Sequence, residues 1–200
     1  MIKYLALGDS YTIGEKVEYH QNFPNQFVQT MKENGVEIEL NQLIAVTGWT
    51  TDELAIAIEK ARPSFDHQLV TLLIGVNNQY RGRSVEEYKA QFYSLLCQSI
   101  LFACGNPKNV FVLSIPDWGL TPFNTNRDKN QTSKEIDDYN QVNYEITLDL
   151  GCNYIDITAS TRNHAMDTHY LAEDGLHYSA NEYRIWANEL IEKYKSIHKI

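Results

Sequence analysis

The sequence has few cysteines and no long apolar run. Its three cysteines, Cys97, Cys104 and Cys152, lack the paired spacing of a zinc site, which predicts free thiols in a reducing compartment. The first two lie seven residues apart on an apolar helical pattern, which predicts that both are buried. No apolar run reaches the length of a membrane span, and the first three residues lead straight into a predicted strand without a secretion signal. We therefore expect a cytoplasmic protein without an integral membrane segment.

Positive charge is scarce as well. The 200 residues include 17 Lys and Arg against 26 Asp and Glu, which gives a formal net charge of -9 at pH 7. This balance disfavours nucleic acid and anionic membrane surfaces as partners. The sequence also lacks a Gly-x-Gly-x-x-Gly motif and a Walker loop, so a nucleotide-binding module is disfavoured and we expect no cofactor.

Short apolar runs alternate along the chain with segments of helical spacing. No repeat, low-complexity tract or Pro/Gly/Ser-rich linker interrupts this alternation, so residues 1–200 are predicted to form a single domain. The pattern predicts strands at 2–7, 36–46, 69–75, 109–115 and 153–157. It predicts helices at 24–35, 51–61, 85–104, 134–150 and 180–197.

Four of the predicted helices begin with the capping-box pattern, in which a hydroxyl and a carboxylate three residues apart satisfy free backbone donors. The four pairs are Thr50 with Glu53, Ser84 with Glu87, Thr132 with Glu135, and Ser179 with Glu182. Strands that alternate with helices are typical of parallel βαβ units, and uniformly apolar strands are covered on both faces. The predicted fold is therefore α/β, a three-layer α/β/α sandwich with about five parallel strands.

Residues suited to catalysis follow four of the predicted strands. Since ligands bind at the carboxyl ends of the strands in such sheets, we expect these segments to meet at one edge. They are Gly8-Asp9-Ser10, Thr47-Gly48-Trp49, Gly75-Val76-Asn77-Asn78 and Asp174-Gly175-Leu176-His177.

A serine nucleophile with its base can be assembled from these segments. Ser10 is the candidate nucleophile and His177 the candidate base, because a serine hydroxyl is weak until a base removes its proton. Asp174 lies three residues before the histidine, close enough to fix its tautomer. The oxyanion of an acyl transfer would be bound by the N–H of Ser10, the N–H of Gly48 and the amide of Asn77.

Taken together, the four blocks resemble the GDSL, or SGNH, hydrolase family over residues 5 to about 185. The resemblance implies a flavodoxin-like sheet and a serine esterase, lipase or lysophospholipase type of acyl hydrolase, with Ser10, Gly48, Asn77 and His177 as its key residues. The chain departs from the family pattern at three positions. They are Tyr11 in place of Leu, Asn78 where Asp is common, and Tyr178 where Pro is frequent. The Gly-x-Ser-x-Gly elbow of the α/β-hydrolases is absent.

Two other functions remain open from the sequence. His164, Asp167 and His169 precede Asp174 and His177 within a short segment, and these side chains are suitable ligands of a metal-dependent hydrolase. We nevertheless expect no metal, because no cysteine joins the cluster and the segment lacks helical ligand spacing. The second alternative is a catalytically inactive binding module of the same fold.

The substrate is the least determined part of the prediction. We expect a small-molecule acyl ester, with acyl chain, leaving group and oligomeric state left open. The aperiodic segment 116–131 follows the fourth strand and should border the site. Trp118, Phe123 and Trp49 either form an apolar wall for substrate or only pin the loops, and Asn78 is a further candidate for binding substrate. Arg81 and Arg83 are candidates for meeting an anionic leaving group.

Overall fold

The computed structural model describes residues 1–199, and five strands in that range form one sheet. The strands are β1 (Ile2–Gly8), β2 (Ile38–Ala45), β3 (Leu69–Leu73), β4 (Val110–Leu113) and β5 (Asn153–Ile155). They lie in the order β2-β1-β3-β4-β5, and every neighbouring pair is parallel. This is the flavodoxin-like order, so the predicted α/β class and the five-stranded parallel sheet are confirmed.

Helices cover both faces of this sheet. They are α1 (Ser10–Ile13), α2 (Phe23–Glu33), α3 (Thr51–Ala61), α4 (Val76–Tyr80), α5 (Val85–Phe102), α6 (Lys129–Asp149), α7 (Thr158–Asn163) and α8 (Ala180–His198). The connection from β1 to β2 leads toward one edge of the sheet, whereas the connections from β2 to β3, β4 and β5 lead toward the other edge. Right-handed crossovers therefore put α2 on one face and α3, α5 and α6 on the other. In agreement, α2 packs on α8, while α5 packs on α3 and α6. None of the helices within residues 1–199 combines the length and apolar character needed to cross a membrane.

The central strands explain why the sequence shows uniformly apolar runs. Every residue of β3 and β4 is buried, and so are residues 4–8 of β1, because helices cover both of their sides. On the α2–α8 face, Trp186 is fully buried and packs against Phe23 and Tyr178. Burial of one such side chain stabilises the fold by roughly 1.5–3 kcal/mol. Tyr178 directly follows His177, so this packing fixes the backbone of the candidate base.

The capping patterns were only partly right. Thr50 and Glu53 form the predicted reciprocal box at α3. Ser84 and Ser179 cap α5 and α8, but no matching bond returns from the glutamate three residues on. The fourth box is wrong. Helix α6 begins five residues before the predicted start, and Asp128 is its cap, accepting a hydrogen bond from the Gln131 N–H at 2.8 Å. Thr132 therefore lies inside the helix.

The prediction for the cysteines also needs one correction. All three are free thiols, and Cys152 is buried, which raises the pKa of its thiol to about 12. Cys104, however, is exposed, and Cys97 is only partly buried. The reason is that α5 ends at Phe102, so Cys104 lies in the turn beyond the helix, with a φ of 59°.

Candidate active site

A small cleft of about 180 Å³ lies at the carboxyl edge of the sheet. Segments from all four predicted blocks line it, together with Trp118 and Phe123 from segment 116–131 and with Tyr80, which the sequence did not single out. The lining residues are Ser10, Tyr11, Thr47, Gly48, Val76, Asn77, Tyr80, Trp118, Phe123, Leu176 and His177. A larger groove of about 600 Å³ between α3 and α5 has no serine, cysteine or histidine in its lining, so the small cleft is the candidate active site.

Ser10 is placed by a sharp turn at the end of β1. It is the first residue of α1, and its side chain is nearly buried. The preceding Asp9 caps the helix by accepting a hydrogen bond from the Tyr11 N–H at 3.0 Å. A Cβ atom at Gly8 would lie 2.1 Å from Thr12 Oγ1, so only glycine allows the helix to fold back this tightly. Because Ser10 opens the helix, its own N–H has no intrahelical acceptor.

Asp9 is a buried carboxyl group beside the candidate nucleophile. It is fully buried, and its Oδ2 has no hydrogen-bond partner among the residues described. Burial raises the pKa of Asp9 to about 7, although the Tyr11 N–H partly opposes this effect. The carboxyl group is therefore largely protonated in mildly acidic solution.

His177, which lines the cleft with Ser10, forms a close pair with Asp174. The Nδ1 atom of His177 lies 2.6 Å from Oδ2 of Asp174. The other carboxylate oxygen accepts the backbone N–H groups of Leu176 and His177, both at 3.0 Å. Partial burial raises the pKa of Asp174, but the hydrogen bonds from His177 and from the two N–H groups outweigh it and hold the pKa below its usual range.

This pairing determines what the imidazole can do. An ionised carboxylate only accepts hydrogen bonds, so Nδ1 of neutral His177 carries the proton and Nε2 is left as the acceptor. No hydrogen bond in residues 1–199 engages Nε2, and the ring lines the cleft with Ser10. The structure shows no direct bond from the serine hydroxyl to the ring, and such bonds are often long in the absence of substrate.

Gly48 lies in a four-residue turn after β2. The Trp49 N–H donates to the Val46 carbonyl at 3.3 Å, and Gly48 occupies the third position with a φ of +88°. A positive φ at this position is what a type II turn requires, and glycine adopts it without strain. The N–H of Gly48 has no acceptor within the described residues, so it is free to bind an oxygen in the cleft.

The neighbouring asparagines of α4 face different surroundings. The Asn77 side chain lines the cleft, and its Nδ2 donates to the Trp49 carbonyl at 3.0 Å. An amide carries two hydrogens, so one remains for a ligand. Asn78 is fully buried outside the cleft lining, and its amide bonds the N–H and hydroxyl of Thr51. Trp49, a second candidate for substrate contact, also lies outside that lining and packs against the core.

Aromatic side chains form one wall of the cleft. The rings of Trp118 and Phe123 lie 6.1 Å apart, and Tyr80 lies 5.2 Å from Trp118. Trp118 is almost fully buried and donates from its indole N–H to Gln79 Oε1 at 2.8 Å, whereas Phe123 is 41% exposed. The sequence indicated the first two rings but not Tyr80, because the segment after Asn77 has no helical periodicity.

The arginines after α4 do not line the cleft. Arg81 donates to the Gly48 carbonyl at 2.7 Å and pairs with Glu53, while Arg83 pairs with Asp52 and Glu87. Both guanidinium groups are therefore engaged by the protein. The structure gives no support to their predicted contact with a leaving group.

The histidines considered as metal ligands separate into pairs. His164 contacts Glu182, His169 contacts Asp167, and His177 contacts Asp174. Within residues 1–199, no three His, Cys, Asp or Glu side chains are grouped so that they could hold a metal ion. The segment 164–177 thus does not form the ligand cluster that the metal-dependent alternative needs.

Solved structures share this fold at low sequence identity. An esterase from Pseudoalteromonas sp. is 13% identical, with a TM-score of 0.73 and full coverage of both chains. An acetylxylan esterase from Geobacillus stearothermophilus is 18% identical, with a TM-score of 0.74 and coverage of 96% of this chain and 94% of that one. A lipase/acylhydrolase from Enterococcus faecalis is 19% identical, with a TM-score of 0.71 and coverage of 98% and 96%.

No curated protein matches the sequence. The model of the GDSL-like lipase/acylhydrolase family, in contrast, matches residues 6–185, and this range contains the end of β1, all of β2 to β5 and every residue of the cleft. A serine and a histidine that share a small cleft with free N–H donors also suit the transfer of an acyl group. The chain therefore belongs to the GDSL-like lipase/acylhydrolase family, a family of carboxylic ester hydrolases.

Proposed function

We propose that the protein, acting as a single catalytic domain, hydrolyses small carboxylic esters with Ser10 as nucleophile. The observation that carries this proposal is the unengaged Nε2 of His177 in the cleft that Ser10 lines, with Nδ1 bonded to ionised Asp174. In the first step Nε2 accepts the hydroxyl proton as Oγ bonds to the ester carbonyl carbon. The imidazolium then gives that proton to the departing alkoxide, which leaves an acyl-serine.

The second step releases the acyl group. A water molecule gives one proton to Nε2 and bonds to the acyl carbon, and Ser10 Oγ leaves with that proton. The products are a carboxylic acid and the free enzyme. Asp174 does not transfer a proton in either step. It holds the ring in the tautomer that leaves Nε2 free and stabilises the imidazolium.

The negative oxygen of each tetrahedral intermediate would be bound by three donors. They are the N–H at the start of α1, the free N–H of Gly48 and the second amide hydrogen of Asn77. All three residues line the same cleft. Preorganised donors of this kind are commonly the largest contribution to catalysis of acyl transfer.

The size of the cleft favours a short acyl group. Its volume of about 180 Å³ is below the roughly 300–1,000 Å³ of sites for drug-sized ligands. The aromatic wall makes the cleft apolar, which suits a short alkyl or aryl acid. The acetylxylan esterase among the structural relatives bears the name of an enzyme for a small acyl group. We further propose that the enzyme works in the cytoplasm, because its thiols are free.

A panel of p-nitrophenyl esters with increasing acyl length tests both parts of this proposal. Activity should be highest for the shortest chains. Ser10→Ala should lower kcat by about 10⁴-fold, because only binding and the oxyanion donors would remain. Ser84→Ala, which removes the cap of α5 outside the cleft lining, is the matched control and should retain activity.

A serine-directed phosphonate provides the second measurement. It should label Ser10 in the wild type, block hydrolysis and leave Ser10→Ala unlabelled. Full activity in Ser10→Ala, together with loss of wild-type activity in a chelator, would overturn the serine mechanism in favour of a metal-dependent one. Wild-type protein that hydrolyses no ester would support the inactive binding module.

A further inference from the structure

Helix α4 and the residue after it bond to the loop that carries Gly48 and to the first residue of α3. Arg81 Nη2 donates to the Gly48 carbonyl at 2.7 Å, and Asn77 Nδ2 donates to the next carbonyl, that of Trp49, at 3.0 Å. Asn78 then accepts the Thr51 N–H at 3.0 Å. The conformation of this loop therefore depends on side chains from a different element.

Within this arrangement Arg81 is itself held in place. Its Nη1 lies 3.3 Å from Glu53 Oε2, and Glu53 also accepts the Thr50 N–H at 2.9 Å. The backbone hydrogen bond from Thr50 lowers the pKa of Glu53, with a further contribution from the charge of Arg81, so the carboxylate stays ionised. Arg81 thus connects the cap of α3 to the Gly48 carbonyl.

The loop needs such support because its internal bonding is weak. The turn is closed by one hydrogen bond of 3.3 Å from Trp49 to Val46, which is longer than a typical N–H to O bond. Gly48 is the position with the greatest backbone freedom, since glycine populates positive and negative φ about equally. Rotation at Gly48 would redirect the N–H that the proposed mechanism uses.

From these contacts we infer that Arg81 is a positioning residue for the oxyanion site. It lies outside the cleft lining and so acts through the Gly48 carbonyl rather than on the substrate. By fixing the peptide between Gly48 and Trp49, it holds the Gly48 N–H in the cleft. It also steadies the Trp49 carbonyl, which orients the amide of Asn77. This inference rests on the proposed function.

Arg83 offers a matched control two residues further along. Like Arg81 it pairs with an acid in the first turn of α3, in this case Asp52 at 2.6 Å, and it also contacts Glu87 at 3.2 Å. No hydrogen bond from its side chain reaches a carbonyl of the Gly48 loop among the residues described. Arg83 therefore resembles Arg81 in its charge and in its ion pair with α3, but it lacks the hydrogen bond to the Gly48 carbonyl.

The test compares Arg81→Met, Arg81→Lys and Arg83→Met on p-nitrophenyl acetate, a neutral ester. Arg81→Met should lower kcat by about 10-fold to 100-fold with KM changed by less than about twofold, because loss of one oxyanion donor costs about 10²–10³-fold and misplacing it costs less. The kcat of Arg81→Lys should lie between that of Arg81→Met and that of the wild type. Arg83→Met should retain wild-type kcat. Inactivation by a phosphonate, whose phosphoryl oxygen occupies the oxyanion site, should slow in parallel with kcat.

Chemical rescue separates positioning from a general loss of stability. Millimolar guanidinium chloride should restore part of kcat in Arg81→Met and leave Arg83→Met and wild type unchanged. The inference is overturned by wild-type kcat in Arg81→Met, by equal losses in Arg81→Met and Arg83→Met, or by an effect on KM alone. If Arg81→Met is unstable, the kcat of Arg81→Lys, measured with and without guanidinium chloride, provides the test instead. An active Ser10→Ala enzyme would instead show that the proposed function itself is wrong.

Discussion

Two histidine–carboxylate pairs lie close together in the same part of the chain, and they have different surroundings. His177 is 2.6 Å from Asp174 and lines the cleft, with its second nitrogen unengaged. His164 is 2.8 Å from Glu182, and its ring stacks on Tyr170 with centroids 3.8 Å apart and planes 7° apart. The chemistry of the two pairs is the same, and only one pair faces a space that a substrate can enter.

The second pair has the features of a structural contact. Glu182 is fully buried, and its other carboxylate oxygen accepts the indole N–H of Trp186 at 3.0 Å. His164 directly follows α7, so the pair joins that helix to α8. A buried carboxylate needs such partners, because leaving one unpaired is costly. The two pairs therefore differ in location, because His177 lines the cleft together with Ser10 whereas His164 lies outside the cleft lining.

Replacing each histidine by asparagine should separate the two pairs most strongly. His177→Asn should lower kcat by about 10⁴-fold, because the proposed base is lost. His164→Asn should leave kcat within a few-fold of wild type and lower the free energy of unfolding by about 1–3 kcal/mol, since Glu182 loses a partner. Steady-state kinetics and thermal unfolding measure both effects. A comparable loss of kcat in His164→Asn would remove the distinction.

Replacing the two acids extends the comparison to pH. Asp174→Asn should lower kcat by about 10²–10⁴-fold, less than His177→Asn, because the acid orients the ring without transferring a proton. Glu182→Gln should affect unfolding instead. In the wild type kcat/KM should have an acid limb between about pH 5.5 and 7.5, because a protonated imidazole cannot accept the serine proton. Asp174, whose pKa is below its usual range, remains ionised there. A flat profile between about pH 5.5 and 7.5 would exclude a histidine base.

The adjacent asparagines provide the same contrast between a residue in the cleft and a residue in the core. Asn77→Ala should lower kcat by about 10²–10³-fold with little change in KM, as expected for an oxyanion donor. Asn78→Ala should instead destabilise the fold by about 1–3 kcal/mol, because it leaves Thr51 without its partner. Kinetics of the folded fraction and urea unfolding measure the two effects. Equal kinetic losses would show that the wrong asparagine was assigned.

Asp9 is a buried acid without a histidine partner, and its effect should appear only in stability. Since the pKa rises from 3.8 unfolded to about 7 folded, the unfolded chain loses this proton first as pH rises. Asp9 therefore makes its full contribution to the free energy of unfolding below about pH 4. This contribution, at most roughly 4 kcal/mol, is lost as the pH rises to about 7. Asp9→Asn should remove this dependence. Urea unfolding of the wild type and of Asp9→Asn from pH 4 to 8 measures this dependence. If the free energy of unfolding changed equally with pH in both proteins, the prediction would be wrong.

The sequence predicted the strands and long helices well, because covered parallel strands and amphipathic helices leave strong periodic patterns. It missed α4, since five residues are too few to show a period, and it misplaced the start of α6 because both Asp128 and Thr132 are acceptable caps. Ser10 could be singled out because it comes two residues after β1, whereas Asp174 and His177 lie beyond α7 and were indicated by their three-residue spacing and the family resemblance. The interaction of Arg81 with Gly48 joins residues far apart in sequence, and no local pattern reveals it.

The packing of Tyr178 between Tyr11 and Trp186 has a consequence for how the enzyme gains activity during folding. Tyr11 follows Ser10, Tyr178 follows His177, and Trp186 belongs to the last helix, so the aromatic contact joins residues near the two ends of the chain. Contacts between residues so distant in sequence are costly to form early in folding. We therefore expect refolding enzyme to recover its secondary structure before its esterase activity, and the delay would measure the time at which α8 closes over the sheet.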